Sequence, residues 1–532
     1  MVRVWFYRIA VVLLVAIGIG SWLAPSVAWS LVVVGPILLV GFYDAFQRRH
    51  TILRNFPVIG HFRYLLESVR PEIQQYFIES NIDAFPIERE MRSLVYRRSK
   101  GALETQPFGT QRDVYRVGYE WVAHSMHPVE PLEHEPRLII GEGTCQHPYA
   151  ASRLNISAMS FGALSPTAIR ALNAGAKIGK FAHNTGEGGI SPYHLQGGDL
   201  IWQIGTAYFG CRTDDGRFDP ELFAEAAQRP EVKLIELKLS QGAKPSHGGV
   251  LPGHKVTQEI AEIRRVPVGQ TIISPPRHSE FSTPVGMLKF IARMRELSGG
   301  KPVGMKLCVG SRIELLAICK AMVETGLLPD FITVDGGEGG TGAAPLEFTN
   351  SIGMPARDGW ALVHAALVGA GLREKVVILA SGKILTGFHM IRAMALGADA
   401  CYSARGMMLA LGCIQALRCN NNTCPTGVAT QNMALYQGLD VPDKTQRVAR
   451  FHAATIRSFL EILSAIGTPD PRQIRPEIFF RRVTDARVRS FAEMYDFLSP
   501  GCLVNGDGAP GAWQSDWNKA RPDSFETAGS TT

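Results

Sequence analysis

Between residues 151 and 435 short apolar runs recur, each closed by a glycine-rich turn and followed by a helical stretch. The runs fall at 154–158, 180–183, 201–205, 234–239, 303–307, 331–334, 376–380 and 400–403. Short apolar runs bounded by turn residues read as buried strands, and strands alternating with helices build a parallel sheet. Eight such units have the count and size of a (β/α)8 barrel. A barrel of this kind assembles its active site from the loops at the C-terminal ends of its strands, so those loops are where chemistry is sought.

The segments around this repeat have other characters. Residues 9–24 and 27–46 are almost wholly apolar, with Ala24-Pro25-Ser26 as the main break. About 20 residues span a hydrocarbon core; the second stretch meets this, and the first does so if it starts near Val4 with Arg8 snorkelling. Arg3 and Arg8 precede the pair and Arg48, Arg49 and His50 follow it, so the positive-inside rule puts both ends in the cytoplasm. The expectation is a transmembrane hairpin at 1–46 in the inner (cytoplasmic) membrane, with the catalytic part facing the cytoplasm. The rival is a signal peptide cleaved after Ala28, disfavoured by the second apolar span that follows directly. A connecting collar is expected at 47–140, the barrel at 141–435, a helical extension at 436–499 and a flexible tail rich in Gly, Ser, Pro and Asp at 500–532. In the extension, Phe451, Ile456, Phe459, Leu460 and Leu463 are spaced for one buried helix face.

The net charge of +7 is not gathered into a Lys/Arg run with interleaved aromatics, so nucleic acid is not an expected partner. Nine cysteines, an odd number, argue against a secreted disulfide framework. Three of them, Cys413, Cys419 and Cys424, sit in GCIQALRCNNNTCPTGVATQ with five and then four residues between them and a proline after the last. Thiolates are the ligands that iron–sulfur clusters select, and close spacing ending in Cys-Pro recurs around such clusters. Three cysteines suggest one thiolate per iron in a three-iron, four-sulfide cluster, or a four-iron cluster completed elsewhere. Cys401 lies on a predicted strand and reads as a core thiol in preference to a fourth ligand.

Polar and glycine-rich runs follow the strands: ISAMSFGALS (156–165), NTGEGG (184–189), QGAKPSHGG (241–249), VDGGEGGTGAAP (334–345) and SGKILTG (381–387). Glycines let backbone N–H groups approach a phosphate and nearby lysines supply charge, so the ensemble suggests a phosphate-bearing cofactor. Lys306 interrupts the otherwise apolar run Pro-Val-Gly-Met-Lys-Leu and needs an anionic partner if it points inward. The negative edge of a reduced flavin would serve, and the rival is a buried carboxylate, Asp335 or Glu236. Lys244 and Arg264 are cations suited to a dicarboxylate, although IAEIRR by itself reads as a helix face with Arg264 and Arg265 in solvent. Glu187, between glycines, is either a proton-transfer or orienting group or only a loop cap.

Together, ISAMSFGALS, NTGEGG, AKP-x-x-GG-x-LPGHKV, ISPP, GGTGAAP and the cysteine run ending CPTGVATQ resemble the FMN-binding synthase domain of the glutamate synthase family, over roughly residues 140–435. The resemblance implies FMN in the barrel, a [3Fe-4S] cluster, and reductive amination of 2-oxoglutarate to L-glutamate through 2-iminoglutarate. By position it assigns the cluster to Cys413, Cys419 and Cys424, and Lys306 to the flavin. Ser157, Ala158, Met159, Gln203, Gly339, Gly340, Gly382 and Lys383 fall around the flavin ring and phosphate, and Glu187, Lys244 and Arg264 near a 2-oxoacid substrate.

The chain departs from the family in identifiable places. Where the family reads AKPGEGGQLPG this sequence has AKPSHGGVLPG, so Val250 stands in place of a glutamine and His247 in place of an acidic residue. Ala380-Ser381-Gly382-Lys383 replaces a VDGG stretch. The sequence shows no glutaminase domain and no nucleotide-binding domain for NAD(P)H, so the expected partners are an external electron donor (ferredoxin or an NAD(P)H-oxidising subunit) and a separate glutaminase subunit. Two further readings remain open: an FMN oxidoreductase acting on another oxoacid or amine, of the N-substituted glutamate synthase type, and a membrane-tethered electron-transfer subunit.

Overall fold

The computed structural model of the chain describes residues 2–526. The chain divides into two compact units, Met1–Arg89 and Glu90–Thr532, so the predicted collar is shared between them. In the first unit, helices Val2–Leu23 and Leu31–Phe46 are joined by a 3-10 turn, Pro25–Ser30, that begins at the expected break. The segments Val2–Leu23 and Pro25–Phe46 are each 22 residues long with a mean hydropathy of 2.0, long and apolar enough to cross a membrane by length and composition. Two shorter helices follow, Thr51–Asn55 and Gly60–Ile73, the latter running into a π turn, Gln74–Ile78.

The second unit is built on a closed barrel of eight parallel strands. They are β1 (Leu154–Ile156), β2 (His183–Asn184), β3 (Leu200–Ile204), β4 (Val232–Lys238), β5 (Val303–Cys308), β6 (Phe331–Asp335), β7 (Val377–Ser381) and β8 (Ala400–Ser403). Each overlaps its predicted run, because strands of a parallel sheet covered on both faces must be continuously apolar. The outer helices start on the caps their sequences announce. Ser165 accepts from Ala168 N ahead of Pro166–Gly179, Thr283 from Gly286 N ahead of Pro284–Leu297, and Thr386 from His389 N ahead of Gly387–Ala395.

An antiparallel hairpin, Leu138–Ile140 with Tyr149–Ala151, closes the N-terminal mouth. Its Ile140, Tyr149 and Ala151 join Ala182, Ile201, Leu234, Phe331, Leu379, Ala400 and Tyr402 in one buried apolar cluster. The floor of the barrel is therefore dry, and its polar side chains lie above it. Register fixes their levels: Gln203 pairs with Glu236, and Lys306 with both Lys238 and Thr333.

Two expectations about the C-terminal third are corrected. Apart from the short helix Phe491–Met494 and two 3-10 turns, the extension is helical over Val441–Ala465 alone, with the anticipated Phe451, Ile456, Phe459, Leu460 and Leu463 buried. Beyond it, Phe479–Arg482 and Val488–Ser490 form a three-stranded antiparallel sheet with Glu120–Val122. Phe480 stacks on Trp121 at 5.7 Å, a pairing partner so distant in sequence that local periodicity does not reveal it. Nor is the chain from 500 a loose tail. Helices Cys502–Asn505 and Gly511–Lys519 are formed, and Trp513 and Trp517, four apart, bury one face. Trp513 Nε1 donates to Asp496 at 2.9 Å and Arg312 Nε to Asp516 at 2.7 Å, fastening the segment to the barrel's outer helix Arg312–Thr325. The tail's last residues, 527–532, lie outside the described residues.

Candidate active site

Above the apolar floor, Glu236 on β4 is fully buried and fully satisfied. Asn184 Nδ2 donates to it at 2.8 Å, Gln203 Nε2 at 2.6 Å and Thr333 Oγ1 at 2.6 Å. Lys306 of β5 comes next, with its Nζ 3.3 Å from Asp335 at the end of β6. Burial alone would depress the lysine, but Asp335, Glu236 and Glu187 outweigh it and hold Lys306 above its ordinary value. Asp335 also accepts from Gly242 N at 3.0 Å, which pulls the 241–249 loop over the barrel. The carboxylate-paired reading of Lys306 is thus the one seen: a buried cation held by Asp335.

Further out, Glu187 is gripped by Lys238, whose Nζ lies 3.1 Å from Oε1 and also donates to Gln241 Oε1 at 2.7 Å. Burial pushes the Glu187 carboxyl up, and Lys238, then Arg264 and Lys244, overcome that and hold it below the ordinary carboxylate range. Gly205 and Gly249 flank the carboxylate so closely that a Cβ on either would overlap its oxygens. Lys244 is buried and donates to Gly248 O at 2.7 Å; burial lowers it to about 8, partly offset by Glu187. Arg264 is 5% exposed, not in solvent as the helix pattern suggested, while Arg265 is exposed. Its Nη2 donates to Phe161 O at 2.8 Å, its guanidinium lies 5.2 Å above the Phe209 ring, and its Nε is buried without a partner. Burial lowers it to about 10, with Glu187 opposing. Glu187, Lys244 and Arg264, remote from one another in sequence, are therefore brought together.

Val250 begins a short strand, Val250–Leu251, paired with Ile272–Ile273, and offers no hydrogen bond where a glutamine would. His247 shares the Gly248 carbonyl at 3.0 Å and meets the edge of Phe348 at 5.2 Å.

The residues assigned to the flavin line the strand ends. Ser157 N donates to Ser403 O at 3.1 Å and Met159 N to Asn184 O at 3.2 Å, placing the 157–159 turn, with Ala158, across β1, β2 and β8. Gln203 commits its amide to Glu236. Gly339 N donates to Gly336 O at 2.8 Å, and beside it Gly340 leaves room, since a Cβ there would meet Arg405 Nη1 at 3.5 Å and nothing closer. Gly382 and Lys383, with Glu338, Asp358, Trp360 and Arg392, line a cavity of about 650 Å³.

The cysteine run leaves the helix Arg405–Leu411 at Gly412. Cys413 Sγ accepts from Gln415 N at 3.4 Å, Cys424 Sγ lies 3.5 Å from Thr426 Oγ1, and Cys419 O accepts from Lys255 Nζ at 2.6 Å. Burial pushes Cys413 up to about 11. In Cys424 burial is outweighed by the Thr426 hydroxyl and by the N–H groups of Ala429, Thr426 and Val428, which hold the thiol below its ordinary value. Among the described residues no three His, Cys, Asp or Glu side chains are gathered to hold a single metal ion. Cys401 is fully buried on β8, as a core thiol would be.

Sequence reasoning missed Lys238, Arg405 and Lys255. Lys238 was findable, because LIELK puts charges into an apolar strand just as Met-Lys-Leu does.

A family model described as a conserved region in glutamate synthase matches residues 114–469. The chain is 38% identical over 498 residues to the glutamate synthase large subunit-like protein YerD of Bacillus subtilis, covering 85% of this chain and 94% of that one. It is 35% identical over 315 residues to an archaeal-type NADPH glutamate synthase of Thermotoga neapolitana, 58% of each chain. Against the large chain of the Azospirillum brasilense NADPH glutamate synthase it is 32% identical over 317 residues and spans 20% of that protein's length. The match runs through the barrel, the clustered cations and the cysteine loop, and the chain belongs to the glutamate synthase family of oxidoreductases.

Proposed function

We propose that this chain binds FMN and a [3Fe-4S] cluster and reductively aminates a 2-oxoacid, with 2-oxoglutarate to L-glutamate through 2-iminoglutarate as the leading reaction. The observation that carries the reading is the convergence of Lys238, Lys244 and Arg264 on the single carboxylate of Glu187. Cations in excess at a buried site call for an anionic ligand, and a dicarboxylate satisfies them.

The residues fit FMN. The open Gly340 cradle beside Arg405 suits a phosphate, and Lys306 is a buried ammonium suited to the negative edge of a reduced isoalloxazine. Bound FMN would supply the hydride that reduces an imine. Lys306 stays protonated and supplies fixed positive charge. Lys244 and Arg264 hold carboxylates, and Arg264 has a free Nε with which to do so. Glu187, ionised at neutral pH, suits orientation and charge stabilisation of a cationic imine nitrogen more than donation of a proton. Cys413, Cys419 and Cys424 would supply the thiolate ligands for the cluster. Electrons would enter from an external donor, either a ferredoxin or an NAD(P)H-oxidising subunit. Nitrogen would come from ammonia or a separate glutaminase subunit. The two apolar helices would anchor the chain in the cytoplasmic membrane with the barrel on the cytoplasmic side.

Val250 favours a second reading, an oxoacid or amine other than the 2-oxoglutarate and ammonia pair, because a lost polar contact relaxes discrimination for the substrate it served. Anaerobic protein with its flavin reduced is the test. Reoxidation by 2-oxoglutarate with ammonium is expected; reoxidation only by another oxoacid or amine would establish the second reading. A flavin that no such acceptor discharges would refute both and leave an electron-transfer role.

A further inference from the structure

The helix Gly60–Ile73 and the turn Gln74–Ile78 belong to a stretch of the first unit with almost no packing of their own. Phe62, Leu65, Leu66, Val69, Ile73 and Phe77 recur at helical spacing along one side, and their exposure runs from 37% at Val69 to 85% at Phe77. Arg63 and Glu67 lie beyond the arc, toward the far side, and Arg70 at its border, with Arg63 Nε 3.0 Å from Glu67. An apolar arc a little over 100° wide is what a helix presents to a core. Here it faces none.

The start of this helix is pinned to the end of the second apolar span. Asp44, two residues before that span closes at Phe46, is fully buried. Its carboxylate accepts from Val58 N at 2.9 Å and from His61 Nε2 at 2.9 Å. The first turn of the amphipathic helix is therefore held at the level where the span ends, which for a spanning helix is the boundary between acyl chains and headgroups. Phe62, Tyr76 and Phe77 are the aromatic side chains that favour that depth.

We propose that Gly60–Ile78 is a third membrane contact, a helix that lies in the cytoplasmic interface of the bilayer with its Phe62–Leu66–Ile73 face among the acyl chains. The inference rests on the membrane reading of the two spans and goes beyond it, since a hairpin alone needs no amphipathic helix. Residues 60–79 carry Arg63 and Arg70 against Glu67, Glu72 and Glu79, so anionic lipid gives them no net attraction. The contact is one of apolar area.

The full chain in nanodiscs of phosphatidylcholine with phosphatidylglycerol tests this. A photoreactive benzoylphenylalanine would replace Leu66 or Ile73 on the apolar arc, Arg63 or Glu67 beyond it, or Val12 inside the first span. Leu66 and Ile73 are expected to give lipid adducts at yields like that of Val12, and at least about ten-fold above Arg63 and Glu67. The yields should survive high salt and the omission of phosphatidylglycerol. Adducts from Leu66 and Ile73 to a second copy or to another part of the chain, or equal yields at all four helix positions, would overturn the proposal. A lipid-labelled Val12 beside unlabelled Leu66 and Ile73 would overturn it alone; an unlabelled Val12 would overturn the membrane reading of the spans as well.

Discussion

Replacing Lys238 by Met removes the strongest partner of Glu187 while keeping most of the side-chain volume. The Nζ–Oε1 separation is 3.1 Å and both side chains are largely buried, so the remaining carboxylate loses its contact ion. Breaking a buried pair by deleting one partner costs about 3–5 kcal/mol. Lys244 and Arg264 still attract Glu187, which favours the lower end, about 3 kcal/mol. In the native protein the Glu187 carboxyl is depressed, so its contribution to stability is present above the unfolded value of about 4.3 and is lost as pH falls through the lower folded value. In K238M burial has the upper hand and the sign reverses: the folded carboxyl rises, and the ionised form is the one that destabilises. Urea unfolding of the solubilised native and K238M proteins between pH 7.5 and pH 3.5 should therefore show a gap of about 3 kcal/mol at the upper end that narrows as Glu187 is protonated. The acid limb of kcat/KM should move upward in the same variant. A stability gap unchanged across that range, or an acid limb that stays in place, would show that Lys238 acts through packing and would refute the electrostatic account.

Lys244 titrates at about 8, so oxoacid KM should rise above that pH by up to about ten-fold per unit, and K244M should raise KM at neutral pH and flatten this limb. In K306M the flavin loses its fixed cation. Its two-electron potential, followed by spectroelectrochemistry, should fall by about 30–60 mV. Asp335→Asn in the same background removes the carboxylate left unpaired and should recover stability without recovering potential. In W513A the buried C-terminal anchor is truncated, and the second unit should lose about 3–5 kcal/mol in urea unfolding with little change in KM.

The strands were legible because a barrel strand cannot hide: burial on both faces forces an apolar run, and a charge within one stands out, as Lys306 did. The same test applied to residues 234–238 would have found Lys238, which balances the charge of Glu187. Arg264 was legible only through family resemblance. Helix periodicity treats it like Arg265, and what separates them is tertiary. Arg265 takes a left-handed C-cap with φ of 53°, whereas Arg264 turns under the loop carrying Phe161. The sheet of Phe479–Arg482 with Glu120–Val122 failed for a related reason, since its pairing information lies in two segments that local patterns never compare. Residues 500–526 were misread through composition, which weighs many glycines and prolines above two tryptophans that supply the packing.

The oxoacid loop and the cysteine loop, remote in sequence, are joined by buried polar contacts that neither motif explains alone. Lys255, five residues past Val250, is buried and commits its ammonium to Cys419 O at 2.6 Å and Ala429 O at 3.4 Å. Gln431, at the far end of the cysteine loop, donates to Gly162 O at 3.1 Å and Leu164 O at 2.8 Å. The neighbouring Phe161 carbonyl holds Arg264. A buried ammonium cannot be left without acceptors cheaply, so the carbonyls of the cysteine loop fix Lys255 and, through it, the start of the helix Gln258–Arg264. Placement of Arg264 thus depends on the fold of the loop that carries Cys413, Cys419 and Cys424. This ties LPGHKV to the cysteine run: the first supplies the Lys255 ammonium, and Cys419 and Ala429 of the second supply the carbonyls that receive it.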